Sequence, residues 1–292
     1  MKAKRSANGS YSEKQIEKRV RVEPYHILAR IYDQVMSHVD YTSWADFVLE
    51  ILTDYGLSAF PDESSLCQNL TTSELRQVLT PDAPMSLLEC ACGTGTVSIN
   101  LAIRGYHIEA CDESGRMIEV ARSKAASLRN PPLFFVKDFL DLDEDDCYDA
   151  VLCLYDSVNY LLQTDQVEDY FNCVKRALKP DGLFLFDVCT EYNSLMNFQS
   201  GDYEEQGSDF SYIRIMQYHR ETKIQENRFL IRLDDAPGIT YEEVHLQRIY
   251  DLGTIRILLE SVGFKIEEET DDIQRTTPQE DSLRVHFLCR NK

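Results

Sequence analysis

The segment from Glu89 to Thr96 has the residue types and spacing that let a ligand approach a protein backbone closely. Leu87 to Ala91 is predicted to be a short buried strand, Gly93 to Thr96 a turn, and Val97 to Arg104 a helix. A helix that begins directly after a glycine turn offers unpaired backbone amides to a bound group. The pattern is therefore typical of a site for a nucleotide-like cofactor.

Two further features refine this interpretation of the turn. Counting from Gly93, the dinucleotide pattern G-x-G-x-x-G finds Ser98 in place of its third glycine, so a pyrophosphate fingerprint is incomplete. Asp112 ends the next predicted strand, 17 positions after Gly95. That distance is near the roughly 20 residues at which an acid accepts hydrogen bonds from ribose hydroxyls, although Asp112 could instead cap the helix that begins at Ser114.

A second group of chemically active side chains follows later strands. Asp156, Asn159 and Tyr160 come directly after the predicted strand from Ala150 to Tyr155, at the strand end that opens into the crevice of a parallel sheet. Asn159 could equally cap a helix. His245 lies in a strand whose alternation places it on one face with Glu243, without indicating which face lines a pocket. Asp156 and His245 are the candidates for accepting a proton.

The surrounding elements alternate between strands and helices, which predicts an α/β fold with a doubly wound, mostly parallel sheet. The alternation stops between about Thr190 and Gln247, where three stretches of two-residue periodicity predict an antiparallel insert. Two amphipathic helices are predicted between Tyr25 and Tyr55, followed by a linker with a short helix near Thr72 to Leu79. We expect four parts: a flexible basic tail (1–22), cap helices and linker (23–85), a cofactor-binding core (86–189 and 249–292) and the insert (190–248).

Charge and cysteine usage limit the classes of partner. Thirty Lys and Arg against 50 Asp and Glu give a net charge of −20, which disfavours broad binding to nucleic acid or to anionic membranes and weakly favours a cationic ligand. No apolar run is long enough to span a bilayer, and the nine cysteines include no C-x-x-C pair. We expect a soluble, cytoplasmic protein without a bound metal; the sequence does not predict its oligomeric state.

The string LLECACGTGT resembles motif I of class I S-adenosylmethionine-dependent methyltransferases, including the variant with Ala91 in place of the first glycine. The resemblance implies a Rossmann-like, seven-stranded fold with S-adenosylmethionine as cofactor and S-adenosylhomocysteine as product. It also implies contacts to the ribose, the adenine and the methionine end of the cofactor. The implied cofactor residues are Tyr32, Glu89, Ala91, Gly93, Gly95, Asp112, Met117, Asp138, Phe139 and Leu154.

Two further strings, Leu154 to Leu161 and Tyr241 to Arg248, resemble the subgroup of these enzymes with an antiparallel insert, which includes amino-sugar N-methyltransferases. This resemblance implies a small-molecule acceptor, methylated on nitrogen or oxygen. The implied substrate contacts are Tyr155, Asn159, Tyr160 and Arg248, beside the catalytic candidates Asp156 and His245. Three alternatives stay open: an RNA or protein methyltransferase, a non-catalytic cofactor-binding module, and a nicotinamide dehydrogenase, which Ser98 and the insert disfavour.

Overall fold

The central element of the computed structural model, which describes residues 18–57, 85–199 and 201–292, is a seven-stranded sheet. Its strands are β2 (Leu87–Cys90), β3 (Ile108–Asp112), β4 (Leu133–Val136), β5 (Tyr148–Cys153), β6 (Leu178–Cys189), β11 (Phe264–Asp271) and β12 (Arg284–Asn291). The spatial order is β11-β12-β6-β5-β2-β3-β4. Strands β2 to β6 run parallel, and β12 is antiparallel to both of its neighbours. The predicted mostly parallel sheet is confirmed.

Helices cover both faces of this sheet. They are α1 (Tyr32–Val35), α2 (Tyr41–Asp54), α3 (Thr96–Ile103), α4 (Gly115–Ala125), α5 (Thr164–Ala177), α6 (Glu191–Asn197) and α7 (Leu252–Val262). On one face, Tyr170 and Phe171 of α5 pack on Phe184 and Phe186 of β6. On the other face, α2 and α3 share a second apolar core. Because both faces are covered, the parallel strands are continuous apolar runs, which made them predictable.

The segment between β6 and α7 forms most of a second sheet. Its strands are β7 (Gly201–Gln206), β8 (Phe210–His219), β9 (Ile224–Leu233) and β10 (Thr240–Arg248), and the order is β1-β10-β9-β8-β7 with β1 at Arg19–Arg21. Strands β7 to β10 are antiparallel, as the insert was predicted to be. The alternation did not predict β7, because this edge strand is polar and largely exposed.

The N-terminal segment differs from its prediction in two ways. Residues 19–21, expected within a flexible tail, form β1, which pairs in parallel with β10. The first cap helix is reduced to a 3-10 turn (Leu28–Arg30) and the single turn of α1. The reason is tertiary: the buried Glu243 carboxylate accepts backbone N–H groups of this segment, and Tyr25 has a φ of +58°. The rest of the tail (1–17) and the predicted linker helix lie outside the described residues.

The described residues also bear on membrane spans, metal sites and cysteines. No helix among them is long and apolar enough to cross a membrane. Within the same ranges, no group of three or more His, Cys, Asp or Glu side chains has an arrangement that could hold a metal ion. The eight cysteines that the structure describes are free thiols, and most are buried in the apolar cores.

Candidate active site

A pocket of about 1030 Å³ lies at the carboxyl ends of the parallel strands. Its floor consists of the residues that follow β2, β3, β4 and β5, and its walls consist of the N-terminal segment and one face of the insert sheet. A volume of this size suits a nucleoside-type cofactor together with a small second ligand, since ligand pockets typically measure about 300–1,000 Å³. The fold therefore brings most members of both predicted groups to one cavity, with Gly95 and Asn159 as exceptions.

The two glycines of the turn after β2 have different surroundings. A Cβ built on Gly93, which lines the pocket, meets no atom within 4 Å. A Cβ built on Gly95 lies 2.5 Å from the Phe134 ring and 3.0 Å from the Ala121 side chain. Gly95 also has a φ of +70° and is absent from the pocket wall. Gly93 therefore leaves room for a ligand, whereas Gly95 is required by the packing of the turn against α4 and β4.

Asp112 fixes the conformation of the glycine turn. Its Oδ2 accepts the Gly93 N–H at 2.9 Å, and its Oδ1 accepts the Ser114 N–H at 2.8 Å. Burial raises the pKa of Asp112 to about 6, against these two hydrogen bonds, which lower it. Ser114, not Asp112, caps α4. The carboxyl group of Asp112 therefore lines the pocket in a position where it can accept further hydrogen bonds.

Glu89 is a buried acid on the pocket wall, with 3% of its surface exposed. Burial raises its pKa to about 7, and the hydroxyl of Ser98 donates a hydrogen bond to its Oε2. Sequence reasoning treated Ser98 only as a missing glycine. The structure shows that this residue orients the carboxyl group best suited to bind an ammonium ion.

The remaining candidate cofactor residues also line the pocket: Tyr32, Ala91, Met117, Asp138, Phe139 and Leu154. Asp138 accepts the Leu140 N–H at 2.9 Å and so caps the 3-10 turn Phe139–Asp141 that follows β4. Met117 is almost fully buried on α4.

The turn after β5 is strained and held by a buried acid. Tyr155 and Asp156 have φ values of +65° and +53°, which are costly for residues with side chains. The Asp187 carboxylate compensates by accepting both of their backbone N–H groups, at 2.6 Å and 2.7 Å. Arg284 donates to Asp187 through Nη1 and to Asp156 at 2.7 Å through Nη2. Sequence reasoning missed Asp187 and Arg284.

Asp156, a candidate base, is fully engaged by neighbours. Its Oδ1 pairs with Arg284, and its Oδ2 accepts the Gln247 Nε2–H at 2.5 Å. Burial raises the pKa of this carboxyl group, while the nearby Arg284 charge opposes the rise. Asp156 lines the pocket, so it can attract a cationic ligand, but its two oxygens already accept strong hydrogen bonds.

The other candidate base belongs to a chain of hydrogen bonds. The hydroxyl oxygens of Tyr25 and Tyr160 are hydrogen-bonded at 2.5 Å, and the Tyr160 hydroxyl oxygen lies 3.2 Å from His245 Nδ1. His245 Nε2 lies 3.3 Å from Glu243 Oε2. Glu243 is fully buried and accepts three backbone N–H groups of residues 25–28. His245 is thus held between a carboxylate and a tyrosine hydroxyl, with the inner face of β10 turned to the pocket.

Asn159 and Arg248, predicted to contact substrate, are absent from the pocket wall. The Asn159 amide donates to the Arg248 carbonyl at 2.7 Å and accepts the Cys189 N–H at 2.9 Å, so it ties together three parts of the fold. The Arg248 guanidinium donates to the Leu162 carbonyl and stacks on Tyr250. It lies on the outer face of β10 because alternation turns His245 and Gln247 inward. Tyr155 and Tyr160 do line the pocket.

Comparisons with known proteins agree with this geometry. Residues 87–182 match the family model described as “Methyltransferase domain”. Over 269 residues the chain is 29% identical to a Bacillus subtilis (strain 168) protein named “Putative methyltransferase YqeM”, covering 91% of this chain and 96% of the relative.

Two solved structures have a similar fold. One is an S-adenosylmethionine-dependent methyltransferase from Clostridium acetobutylicum, with a TM-score of 0.72 and 23% identity, covering 91% of this chain and 98% of the other. The second is the sugar N-methyltransferase KedS8 from Streptoalloteichus, with a TM-score of 0.64 and 18% identity, covering 98% of each chain.

The matched domain, the sheet order and the glycine turn with its acids define a Rossmann-like methyltransferase. The chain is a methyltransferase with this fold. The resemblance of LLECACGTGT to motif I is therefore confirmed, and the nicotinamide alternative is set aside.

Proposed function

We propose that this enzyme transfers a methyl group from S-adenosylmethionine to the amine of a small molecule. The observation that carries the proposal is one pocket lined by Glu89 and Asp112 near the glycine turn and by His245 and Tyr160. His245 and Tyr160 belong to a hydrogen-bond chain that ends at the buried Glu243. The fold similarity to a sugar N-methyltransferase supports an amine acceptor.

The residues around the glycine turn fit the cofactor chemically. Gly93 offers space against the backbone, and the buried carboxyl of Glu89 matches the ammonium of a methionine group. Asp112 and Asp138 would accept hydrogen bonds from ribose hydroxyls and from the adenine amino group, with Met117 beside the ring. When bound, S-adenosylmethionine supplies an electrophilic methyl group on a positively charged sulfur.

The chain of Tyr160, His245 and Glu243 supplies a path for a proton. An ammonium group must lose a proton before its lone pair can attack. With Nε2–H facing Glu243, His245 presents Nδ1 as an acceptor to the Tyr160 hydroxyl, so a proton taken at that hydroxyl passes to the imidazole. Glu243 then stabilises the imidazolium. Asp156, whose oxygens are bonded by Arg284 and Gln247, contributes only the attraction of its negative charge for the ammonium.

The N-terminal segment completes the enclosure of the pocket. Asp33 on α1 accepts the Thr94 hydroxyl at 2.6 Å and pairs with Lys124 at 2.7 Å, so this segment is fastened to the glycine turn. Excluding water keeps an amine lone pair free for attack. Holding donor and acceptor in line is worth up to about 7–11 kcal/mol of the barrier.

The test combines a methylation screen with two variants. The protein is incubated with S-adenosylmethionine and matched amines and alcohols, and S-adenosylhomocysteine is measured. We expect turnover with amines, and a 10²- to 10⁴-fold lower kcat at neutral pH for His245→Gln. Tyr160→Phe should lower kcat and alter its pH profile, because it interrupts the path without removing the imidazole.

His219→Gln, at the end of β8 and away from the pocket wall, is the matched control and should retain wild-type kcat. Equal kcat for His245→Gln and the wild type would contradict the proton path. Turnover confined to RNA or protein, with a steep loss of substrate affinity as salt rises, would replace the small-molecule acceptor.

A further inference from the structure

Arg214, on β8 of the insert sheet, is a cation on the pocket wall that lacks a protein counter-ion within the described ranges. Its Nε and Nη2 donate to Asn227 Oδ1 at 3.0 Å and 2.7 Å. Among the described residues, Nη1 has no hydrogen-bond partner and no carboxylate oxygen lies within 4.0 Å of the guanidinium. One edge of the planar group is therefore fixed by an amide, and the other edge is available to a ligand.

The position of this guanidinium is fixed by packing. Its central carbon lies 5.6 Å from the centre of the Phe198 ring and 5.4 Å from that of Phe229. Such contacts favour a cation over aromatic faces, but they do not neutralise it. Burial also lowers the pKa of Arg214, which shows that this site disfavours its charge.

The nearest candidate for a counter-charge on the protein is already used. Asp156 interacts with Arg214 through space, but Arg284 and Gln247 bond both of its oxygens. Partly buried cations are usually paired, because removing an unpaired charge from water is costly. An unpaired cation at a ligand pocket therefore indicates that the missing charge belongs to the ligand.

Strand register places this cation near the proposed proton acceptor. Asn227 on β9 pairs directly with His245 on β10, and Arg214 on β8 pairs with Phe229 of β9. Three adjacent strands thus carry the imidazole, the amide and the guanidinium, and β8 and β10 are two strand spacings, or about 10 Å, apart. A single small molecule can therefore contact both His245 and Arg214.

We infer that Arg214, oriented by Asn227, binds a carboxylate or phosphate group of the same acceptor whose amine is methylated. The inference rests on the proposed function and narrows its substrate class to amines that also carry an acid group. A planar guanidinium edge matches both anions, because each presents paired oxygens.

Calorimetric titration tests the anion site without turnover. Protein saturated with S-adenosylhomocysteine is titrated with acetate and, separately, with inorganic phosphate at constant ionic strength. We expect saturable binding of at least one of them by the wild type, a loss of at least tenfold in affinity for Arg214→Gln, and partial retention for Arg214→Lys. The control Arg228→Gln removes a guanidinium that pairs with Glu226 and Glu242 outside the pocket, and should bind like the wild type. Equal binding by Arg214→Gln and the wild type, or no binding by the wild type, would overturn the inference.

Paired acceptors then separate this inference from the proposed function. Each pair contains an acidic amine and its neutral counterpart: a 2-amino carboxylate with its amide, and an aminoalkyl phosphate with its amino alcohol. We expect kcat/KM to favour the acidic member of at least one pair by tenfold or more, and this ratio to fall by about tenfold or more in Arg214→Gln. Equal ratios in the two proteins refute the role of Arg214 while leaving amine methylation intact. Arg214-dependent anion binding with no methylation of any amine would overturn the proposed function instead.

Discussion

Replacing Gly93 and Gly95 one at a time by alanine should separate cofactor binding from folding. In Gly95→Ala the new Cβ would lie 2.5 Å from the Phe134 ring, where ordinary contacts are 3.4–4 Å. Left-handed backbone strain costs about 1–2 kcal/mol and overpacking about 1–3 kcal/mol, so the free energy of unfolding should fall by about 2–5 kcal/mol. The methyl group enters the core between α4 and β4, so cofactor affinity of the folded protein should change little.

In Gly93→Ala the methyl group would enter open space on the pocket wall. The backbone cost is again about 1–2 kcal/mol, and Ala91, with a φ of +52°, shows that alanine is tolerated in this turn. A ligand that contacts the Gly93 backbone would be displaced by the added methyl group. We therefore expect at least a tenfold loss of affinity for S-adenosylhomocysteine, about 1.4 kcal/mol.

The assay pairs calorimetric titration of S-adenosylhomocysteine with urea unfolding, each titration being made well below the unfolding midpoint. Wild-type affinity in a folded Gly93→Ala protein would refute the placement of the cofactor against this turn. A Gly95→Ala protein that is as stable as the wild type but binds S-adenosylhomocysteine more weakly would show that Gly95, and not only Gly93, leaves room for the cofactor. That result would contradict the packing role given to Gly95.

Three further changes test the buried charges. Burial raises the Glu89 pKa from its ordinary value of 4.5 to about 7, so the free energy of unfolding should fall by up to about 3 kcal/mol as pH rises between these values. Affinity for S-adenosylmethionine should increase over the same range, and Glu89→Gln should flatten both pH profiles, measured by urea unfolding and calorimetry. Asp187→Asn should lower the free energy of unfolding by about 3–5 kcal/mol, measured with urea, because Arg284 loses a buried partner. The control Asp181→Asn, at an exposed position, should change this free energy by no more than about 0.5 kcal/mol. Lys124→Met should accelerate proteolysis near α1 by loosening the N-terminal segment from the glycine turn, and unchanged cleavage rates would contradict that contact.

The cofactor half of the site was predictable because it is local in sequence. Glu89, Gly93 and Asp112 fall within two consecutive strand–helix units, whose strands are apolar runs and whose turns are marked by glycine. Parallel pairing then brings the ends of β2 and β3 together at one edge of the sheet. The short-range pattern, together with the rule that ligands bind at the carboxyl ends of parallel strands, was sufficient to predict this half of the site.

The acceptor half depends on contacts that no local pattern encodes. Arg284 is 128 positions from Asp156, and it reaches that side chain because β12 pairs antiparallel with β6, placing Arg284 opposite Cys189. Glu243 bonds the backbone of Leu28 across 215 positions, which replaced a predicted helix by an irregular segment. Alternation along β10 correctly divided its faces, but only the packing of the insert showed that His245 lies inward and Arg248 outward.

On the inference drawn for Arg214, the net charge of the whole chain is a weaker guide to the acceptor than the groups on the pocket wall. A total of −20 favoured a cationic ligand, yet fields from exposed charges decay within about 8–10 Å at physiological salt, so the groups on the pocket wall dominate binding. There, Arg284 compensates much of the charge of Asp156, while Arg214 lacks a carboxylate partner among the described residues. The wall thus presents the His245 imidazole on β10 and, two strands away on β8, the Arg214 guanidinium. An acceptor that carries both an amine and an acid group satisfies both groups, whereas a purely cationic one would leave Arg214 buried beside a like charge.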